Sequence, residues 1–299
     1  MVDSLVLPNN DWGMPGAVGA GSTPYAVVVP SSQTELSETT DGFTQLRRHW
    51  AADEPRANML IVHGIGEHSG RYEHVGSFFA DQGIDTLSYD QRGFGQSGGR
   101  RAFVKSFDQY LDDVQHLLEL RRESGLPVIL MGHSLGGLVV TRYLTSDRPQ
   151  PDLAVVSAPA LEADVPAWQK LFAPVLGRLL PKQHIPAKID GELLSRDVEV
   201  QKAYVNDPLV IAGATAGLGN EMFSAMASTN AVLDRLRVPT YVLHGAEDRL
   251  VPPSASAALG SLPGVTRKVW DGLRHECLNE PEQAEVMAAI AEWLDAELS

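Results

Sequence analysis

The chain has 299 residues, 43% of them hydrophobic, which is enough to bury one large core and argues against disorder throughout. Its 24 Lys and Arg against 38 Asp and Glu give a formal charge of −14, which repels phosphate backbones and argues against nucleic acid as a partner. Cys277 is the only cysteine, which excludes an intramolecular disulfide and any multi-cysteine metal site, and fits a reducing cytoplasm.

Residues 1–40 are rich in Gly, Pro, Ser and Thr without steady periodicity and read as a partly irregular N-terminal extension. Asp3 and Asp11 stand where a signal peptide would carry cations, and the apolar runs here are too short to span a membrane. A soluble cytoplasmic protein is expected. From residue 43 short β-rich runs alternate with longer segments of helical period. Strands are predicted at 43–50, 59–62, 86–89, 128–131, 153–157, 240–243 and 266–270, and helices near 72–82, 107–124, 135–146, 253–261 and 281–298. That alternation predicts an α/β fold with a mostly parallel sheet flanked by helices. Between about 159 and 237 no strand signal occurs, and the gap is too long for a loop, so an inserted helical cap is expected there. The core then comprises 41–158 and 238–299.

Two Gly-x-Ser-x-Gly stretches compete as nucleophile sites. Ser134, in Gly132-His133-Ser134-Leu135-Gly136, follows an apolar run and precedes an amphipathic helix, the strand–turn–helix frame of a nucleophile elbow. Ser97 is followed by Gly98, Gly99, Arg100 and Arg101, which suit a loop. A serine hydroxyl needs an imidazole to take its proton and a carboxylate to orient that imidazole, in the order Ser, acid, His on loops at strand ends. Asp248 follows the 240–243 strand and His275 follows the 266–270 strand. Neighbouring Glu247 points elsewhere on the turn, and His244 abuts the strand end, where it is expected to hydrogen-bond backbone locally. Asp271 suits a turn beside Gly272. The oxyanion requires two N–H donors. Leu135, next to the nucleophile, supplies one, and Ile65, between Gly64 and Gly66 after the 59–62 strand, supplies the other. No metal or cofactor is required.

These residues resemble a known family. His63-Gly64-Ile65-Gly66-Glu67-His68-Ser69-Gly70-Arg71-Tyr72, the run 89–99 around Arg92 and Gly95, the elbow at Ser134 and His244-Gly245-Ala246-Glu247-Asp248-Arg249 together are similar to the monoacylglycerol lipases of the α/β-hydrolase fold. Leu194-Ser195-Arg196-Asp197 and the run 203–209 resemble that family's cap. The resemblance covers about residues 40–298. It implies cleavage of one fatty acyl ester from glycerol, with Glu67, Arg71, His133 and Tyr204 at the polar end of the site. Glu67 and Arg71, four apart, could equally pair with each other. The extension before residue 40 and Glu247 depart from the family pattern. A lysophospholipase or broad carboxylesterase uses the same machinery, and a non-catalytic hydrolase-fold binding protein is the rival from another class.

In the cap, Trp168, Leu171, Phe172, Val175, Leu176, Leu179 and Leu180 recur at helical spacing, with Pro174 expected to kink or interrupt the helix. Part of this stripe could face an acyl chain or touch a lipid surface transiently. Met222, Phe223 and Met226 suit an adaptable apolar wall, and Cys277 suits a small apolar space.

Overall fold

Strand-by-strand burial sets the architecture. In the computed structural model, which describes residues 32–39, 41–163 and 167–299 (for 167–172 the backbone alone), the strands in chain order are β1 (Gln33–Glu38), β2 (Thr44–Trp50), β3 (Ala57–Val62), β4 (Ile84–Tyr89), β5 (Val128–His133), β6 (Leu153–Ser157), β7 (His184–Ile185), β8 (Ala214–Thr215), β9 (Thr240–Gly245) and β10 (Val265–Trp270). All but β7 and β8 join one sheet, ordered β1-β2-β4-β3-β5-β6-β9-β10. From β4 to β10 every neighbouring pair in that order is parallel, whereas β2 runs antiparallel to β1 and β4.

Each central strand is buried along its whole length. In β3, Leu60 and Val62 join one core cluster while Met59 and Ile61 join the other; Leu130 and Ile129 divide the same way in β5. Both faces therefore need cover. The helices are α1 (Glu73–Asp81), α2 (Asp108–Arg122), α3 (Leu135–Leu144), α4 (Ala167–Leu179), α5 (Gly191–Leu194), α6 (Val198–Asn206), α7 (Ala216–Asn230) and α8 (Gln283–Leu298). Val75 and Phe79 of α1 pack with Val286, Ile290 and Leu294 of α8 in one cluster, and Leu111, Val114 and Leu117 of α2 pack with Leu138 and Val139 of α3 in the other. The loops leaving β3, β5, β9 and β10 all lie at the carboxyl end of the parallel strands, where α/β folds place their ligands.

The segment between β6 and β9 holds α4 to α7 and the small ribbon of β7 and β8. That ribbon corrects the expectation of a strand-free insertion; two residues per strand are too few to show a period of two. A second correction lies before residue 40, where β1 pairs with β2 although its QTELSE sequence is largely exposed and lacks an apolar face. Residues 1–31 lie outside the described residues, as do the side chains of Trp168, Leu171 and Phe172 in the apolar stripe. Residues 253–261 form two short 3-10 turns rather than one helix. Of the two outcomes expected at Pro174, a kink or an interruption, the second does not occur: α4 continues through it.

Candidate active site

Ser134 sits between β5 and α3 with φ 54° and ψ −114°, a left-handed backbone that a non-glycine residue adopts only when its surroundings force it. The surroundings explain the glycines. A Cβ on Gly136 would lie 2.0 Å from the carbonyl oxygen of Val62, and one on Gly132 would lie 2.3 Å from that of Gly136. Strand, turn and helix approach too closely at these two positions for any side chain. Ser97 lies in a loop, its hydroxyl donating to the Asp90 carbonyl at 2.6 Å and accepting from Leu46 N–H at 2.9 Å.

Asp248 stands in the loop after β9 and His275 in the loop after β10. Nδ1 of His275 donates to Oδ2 of Asp248 at 2.7 Å, while Oδ1 accepts the N–H groups of Leu250 at 2.9 Å and Val251 at 3.0 Å. Burial raises the Asp248 carboxyl, but bonds from His244 and His275 outweigh it and hold the acid below the ordinary carboxylate range. Burial lowers His275, and the bond and charge of Asp248 more than offset this, leaving it raised. Nδ1 being the donor, the neutral ring keeps Nε2 free to accept a proton. Among the described residues neither Nε2 of His275 nor the Ser134 hydroxyl takes a hydrogen-bond partner; such bonds are commonly loose before substrate arrives.

Ser134 and His275 line one small cavity of about 20 Å³, together with Gly64, Ile65, His133 and a polar wall of Glu67, Arg71 and Glu276. Asp248 is buried behind His275, and Leu135 begins α3, whose first N–H groups have no acceptor within the helix. The polar wall is a clamp. Nη1 of Arg71 donates to Glu67 Oε2 at 2.9 Å and Glu276 Oε1 at 2.6 Å, and Nη2 donates to Glu276 Oε2 at 2.7 Å. Glu67 also accepts from the Tyr72 hydroxyl at 2.8 Å and from Gly64 N–H. Thus Glu67 and Arg71 pair with each other and line the cavity as well. Burial raises Glu276, but Arg71 overrides it and draws the acid down to about 2. The His133 ring lies 4.7 Å from the His275 ring, tilted 55° to it, and burial followed by the charge of His275 pushes it down to about 4, so it is neutral at pH 7.

The inserted segment closes the cavity with Ile189, Leu194 and Tyr204, the last with its ring 4.9 Å below the Arg71 guanidinium. It is tied to the core at two places beside the site. Ile211 N–H donates to Gly66 O at 2.8 Å, and His68 meets Asp207 at 2.8 Å. On the far side Glu276 N–H donates to Leu194 O at 2.8 Å, and Ser195 and Arg196 bind the Glu280 carboxylate.

A second, larger groove of about 670 Å³ is lined by Leu161, Glu162, Ala163, Phe223, Met226, Ala227, Asn230 and Pro252. Leu161 follows Ala160, whose N–H donates to the Ser134 carbonyl at 3.0 Å. Met222 packs against the same core cluster without lining the groove.

Glu276, Ile189 and Leu194 were not legible as site residues in the sequence. Glu276 carried one usable signal, a charged residue directly after the candidate histidine. His244 departs from the expectation of purely local backbone bonding. It reaches Val251 O at 2.9 Å and also the Asp248 carboxylate at 3.2 Å. Glu247 is exposed and Asp271 sits in a turn, as read. Among the described residues no group of three His, Cys, Asp or Glu side chains is placed to hold a metal ion.

A family profile described as "Serine aminopeptidase, S33" matches residues 53–282. The chain is 35% identical over 266 residues to the monoacylglycerol lipase of Mycolicibacterium smegmatis, covering 83% of this chain and 92% of that one. It belongs to the monoacylglycerol lipase family of the α/β-hydrolase fold. The solved monoacylglycerol lipase of Paleococcus ferrophilus superposes with a TM-score of 0.78 at 31% identity, over 85% of this chain and 99% of that chain. Within the wider family, "Phospholipase YtpA" of Bacillus subtilis is 29% identical, over 82% of this chain and 98% of its own length.

Proposed function

We propose that this protein hydrolyses monoacylglycerol to glycerol and a free fatty acid, through an acyl-enzyme on Ser134. The observation that carries the reading is one cavity bounded by the strained serine, by an imidazole held by a buried carboxylate, and by a polar wall that accepts hydrogen bonds. Ser134 Oγ attacks the acyl carbonyl while Nε2 of His275 takes its proton. The oxyanion is held by the N–H groups of Ile65 and Leu135, each such donor being worth about 3–4 kcal/mol. Protonated His275 then gives its proton to the glycerol oxygen as the ester C–O bond breaks. Water attacks the acyl carbonyl while His275 takes its proton, and His275 then returns that proton to Ser134 Oγ as the acyl C–Oγ bond breaks and the fatty acid leaves.

Glycerol hydroxyls are donors, and the Glu67 and Glu276 carboxylates suit them. Tyr204 packs on Arg71, and His133 supplies a neutral ring. A lysophospholipid fits this wall less well. Two carboxylates against one guanidinium leave it net anionic, and Arg71 already directs three hydrogen bonds at those carboxylates, so a phosphate meets repulsion rather than a receptor. The groove takes the acyl chain on this reading, because Leu161, Phe223 and Met226 offer it apolar wall and Leu161 is one residue from Ala160, which bonds the Ser134 carbonyl. The segment between β6 and β9 acts as a cap. Val175, Leu176, Leu179, Leu180 and Ile185 are exposed on it and suit brief contact with a lipid surface, and among the described residues no helix is long and apolar enough to cross a membrane. A cytoplasmic enzyme, peripheral to membranes, accords with these features.

The test is a panel of monoacylglycerols and lysophospholipids of matched chain length, with Ser134→Ala as blank. Monoacylglycerol should be preferred. Labelling by a fluorophosphonate should occur in the native enzyme and vanish in Ser134→Ala; a native protein that neither labels nor turns over any ester is a binding protein instead.

A further inference from the structure

The Asp248 carboxylate is shared by two histidines. Oδ2 lies 2.7 Å from His275 Nδ1 and 3.2 Å from His244 Nε2, and the His244 and Asp248 side chains are fully buried. The second partner of His244 Nε2 is the Val251 carbonyl at 2.9 Å. A carbonyl only accepts, and so does an ionised carboxylate. Nε2 of His244 therefore carries a hydrogen, donated to the Val251 carbonyl, and the Asp248 Oδ2 lies beside that polar edge at 3.2 Å. At the opposite ring nitrogen the Ser256 hydroxyl stands 2.9 Å from Nδ1; it also lies 3.2 Å from the Pro253 carbonyl and accepts from Nε of Arg267 at 3.0 Å. The ring is thus fixed at both ends, and its position at the end of β9 is set by the sheet.

The geometry points to His244 as a positioning residue that holds the Asp248 carboxylate in the orientation from which it serves His275. This inference rests on the reading of Asp248 and His275 as a catalytic pair. The physical reason is the count of donors around a buried anion. Leu250 N–H and Val251 N–H hold Oδ1, and the His244 N–H edge lies against Oδ2, the oxygen that His275 uses; both oxygens thus face positive hydrogen, which keeps the acid ionised and in place in a dry site. The sequence signal is the residue ending the β9 apolar run, four positions before the acid.

Three variants test this: His244→Leu, which keeps bulk but loses the donor; His244→Gln, which can present an amide N–H to Oδ2; and Ser256→Ala, which frees the far end of the ring. His244→Leu should lower kcat about 10–100-fold with KM within about threefold, as expected for a bond to a charged group. His244→Gln should recover most of that loss. In an Asp248→Asn background His244→Leu should produce little further change. Ser256→Ala should fall between the native enzyme and His244→Leu. A second readout is independent of turnover: the low-field proton resonance of His275 Nδ1–H should shift or broaden in His244→Leu and return in His244→Gln.

The inference is overturned by native kcat and an unmoved resonance in folded His244→Leu. It is equally overturned by a loss that persists undiminished in the Asp248→Asn background, or by folded His244→Gln no better than His244→Leu. If His244→Leu fails to fold, His244→Gln and Ser256→Ala decide: native-like activity and resonance in the first with a partial loss in the second support it, and any other pattern refutes it. If Asp248→Asn alone leaves kcat unchanged, the catalytic-pair reading fails, while the resonance still reports whether His244 orders the carboxylate.

Discussion

The cavity at Ser134 and the groove at Leu161 differ in kind. The cavity is about 20 Å³, walled by buried, mutually paired charges; the groove is about 670 Å³ and mainly apolar, with methionine and phenylalanine on its wall. In the first, direction and charge decide what binds, because each buried polar atom demands a partner. In the second only apolar area matters, and the wall accommodates different lengths. Ile189, Leu194 and Tyr204 of the inserted segment lie against the glycerol in the proposed enzyme, and the groove takes the tail. On the proposed reading, the enzyme is strict about the alcohol and tolerant about the acid.

The largest expected effect breaks both sides at once. Asp248→Asn should reduce kcat about 10⁴-fold with every substrate, since the imidazole loses its orienting anion. The same substitution supplies a pH test. Native kcat/KM should fall as pH drops through a value above 6.5, where raised His275 becomes protonated, and the residual activity of Asp248→Asn should fall at a lower pH, because the group that raises His275 has gone. An unmoved acid limb would place the titration elsewhere.

Next comes Arg71→Ala, which leaves the Glu67 and Glu276 carboxylates buried beside each other without a cation. Thermal unfolding should report a loss of about 3–5 kcal/mol, as when one partner of a buried pair is removed. A stability within 1 kcal/mol of native would mean that water already screens the wall. On the groove side, kcat/KM for soluble esters should climb by up to about fourfold per added methylene, from about 0.8 kcal/mol of burial each. Ala227→Trp should flatten that climb for long chains while sparing butyrate; a native profile would move the acyl site away from this groove. The smallest effect expected is in selectivity. Glu276→Gln should raise the ratio of kcat/KM for lysophosphatidic acid over monoacylglycerol about tenfold, as one negative charge leaves the wall. A constant ratio would show that phosphate is rejected by shape alone.

Much of the fold was legible because β3 and β5 carry the apolar runs Met59–Val62 and Val128–Met131 and α2, α3 and α8 carry the helical period. The elbow was legible because Gly132 and Gly136 answer to clashes with backbone, which no other residue type could avoid. Strand β1 was not, since it pairs through main chain while its side chains face water. Nor was Glu276: its partner Arg71 lies 205 positions earlier, and no local pattern records an ion pair made by folding. His244 was read as a local hydrogen-bonder. That was half right, because the carboxylate it also reaches lies on the same loop and differs from a backbone partner only by where the turn directs it.

The loop that carries His275 is stapled to the inserted segment. Glu276 N–H holds Leu194 O, Arg274 donates to the carbonyls of Glu192 and Ser195, and buried Glu280 gathers Ser195, Arg196 and Arg274 N–H. On the proposed reading, the segment that covers the alcohol and the loop that presents the base share one set of fastenings, so a change in Leu194, Ser195 or Arg196 would be felt at His275 as well.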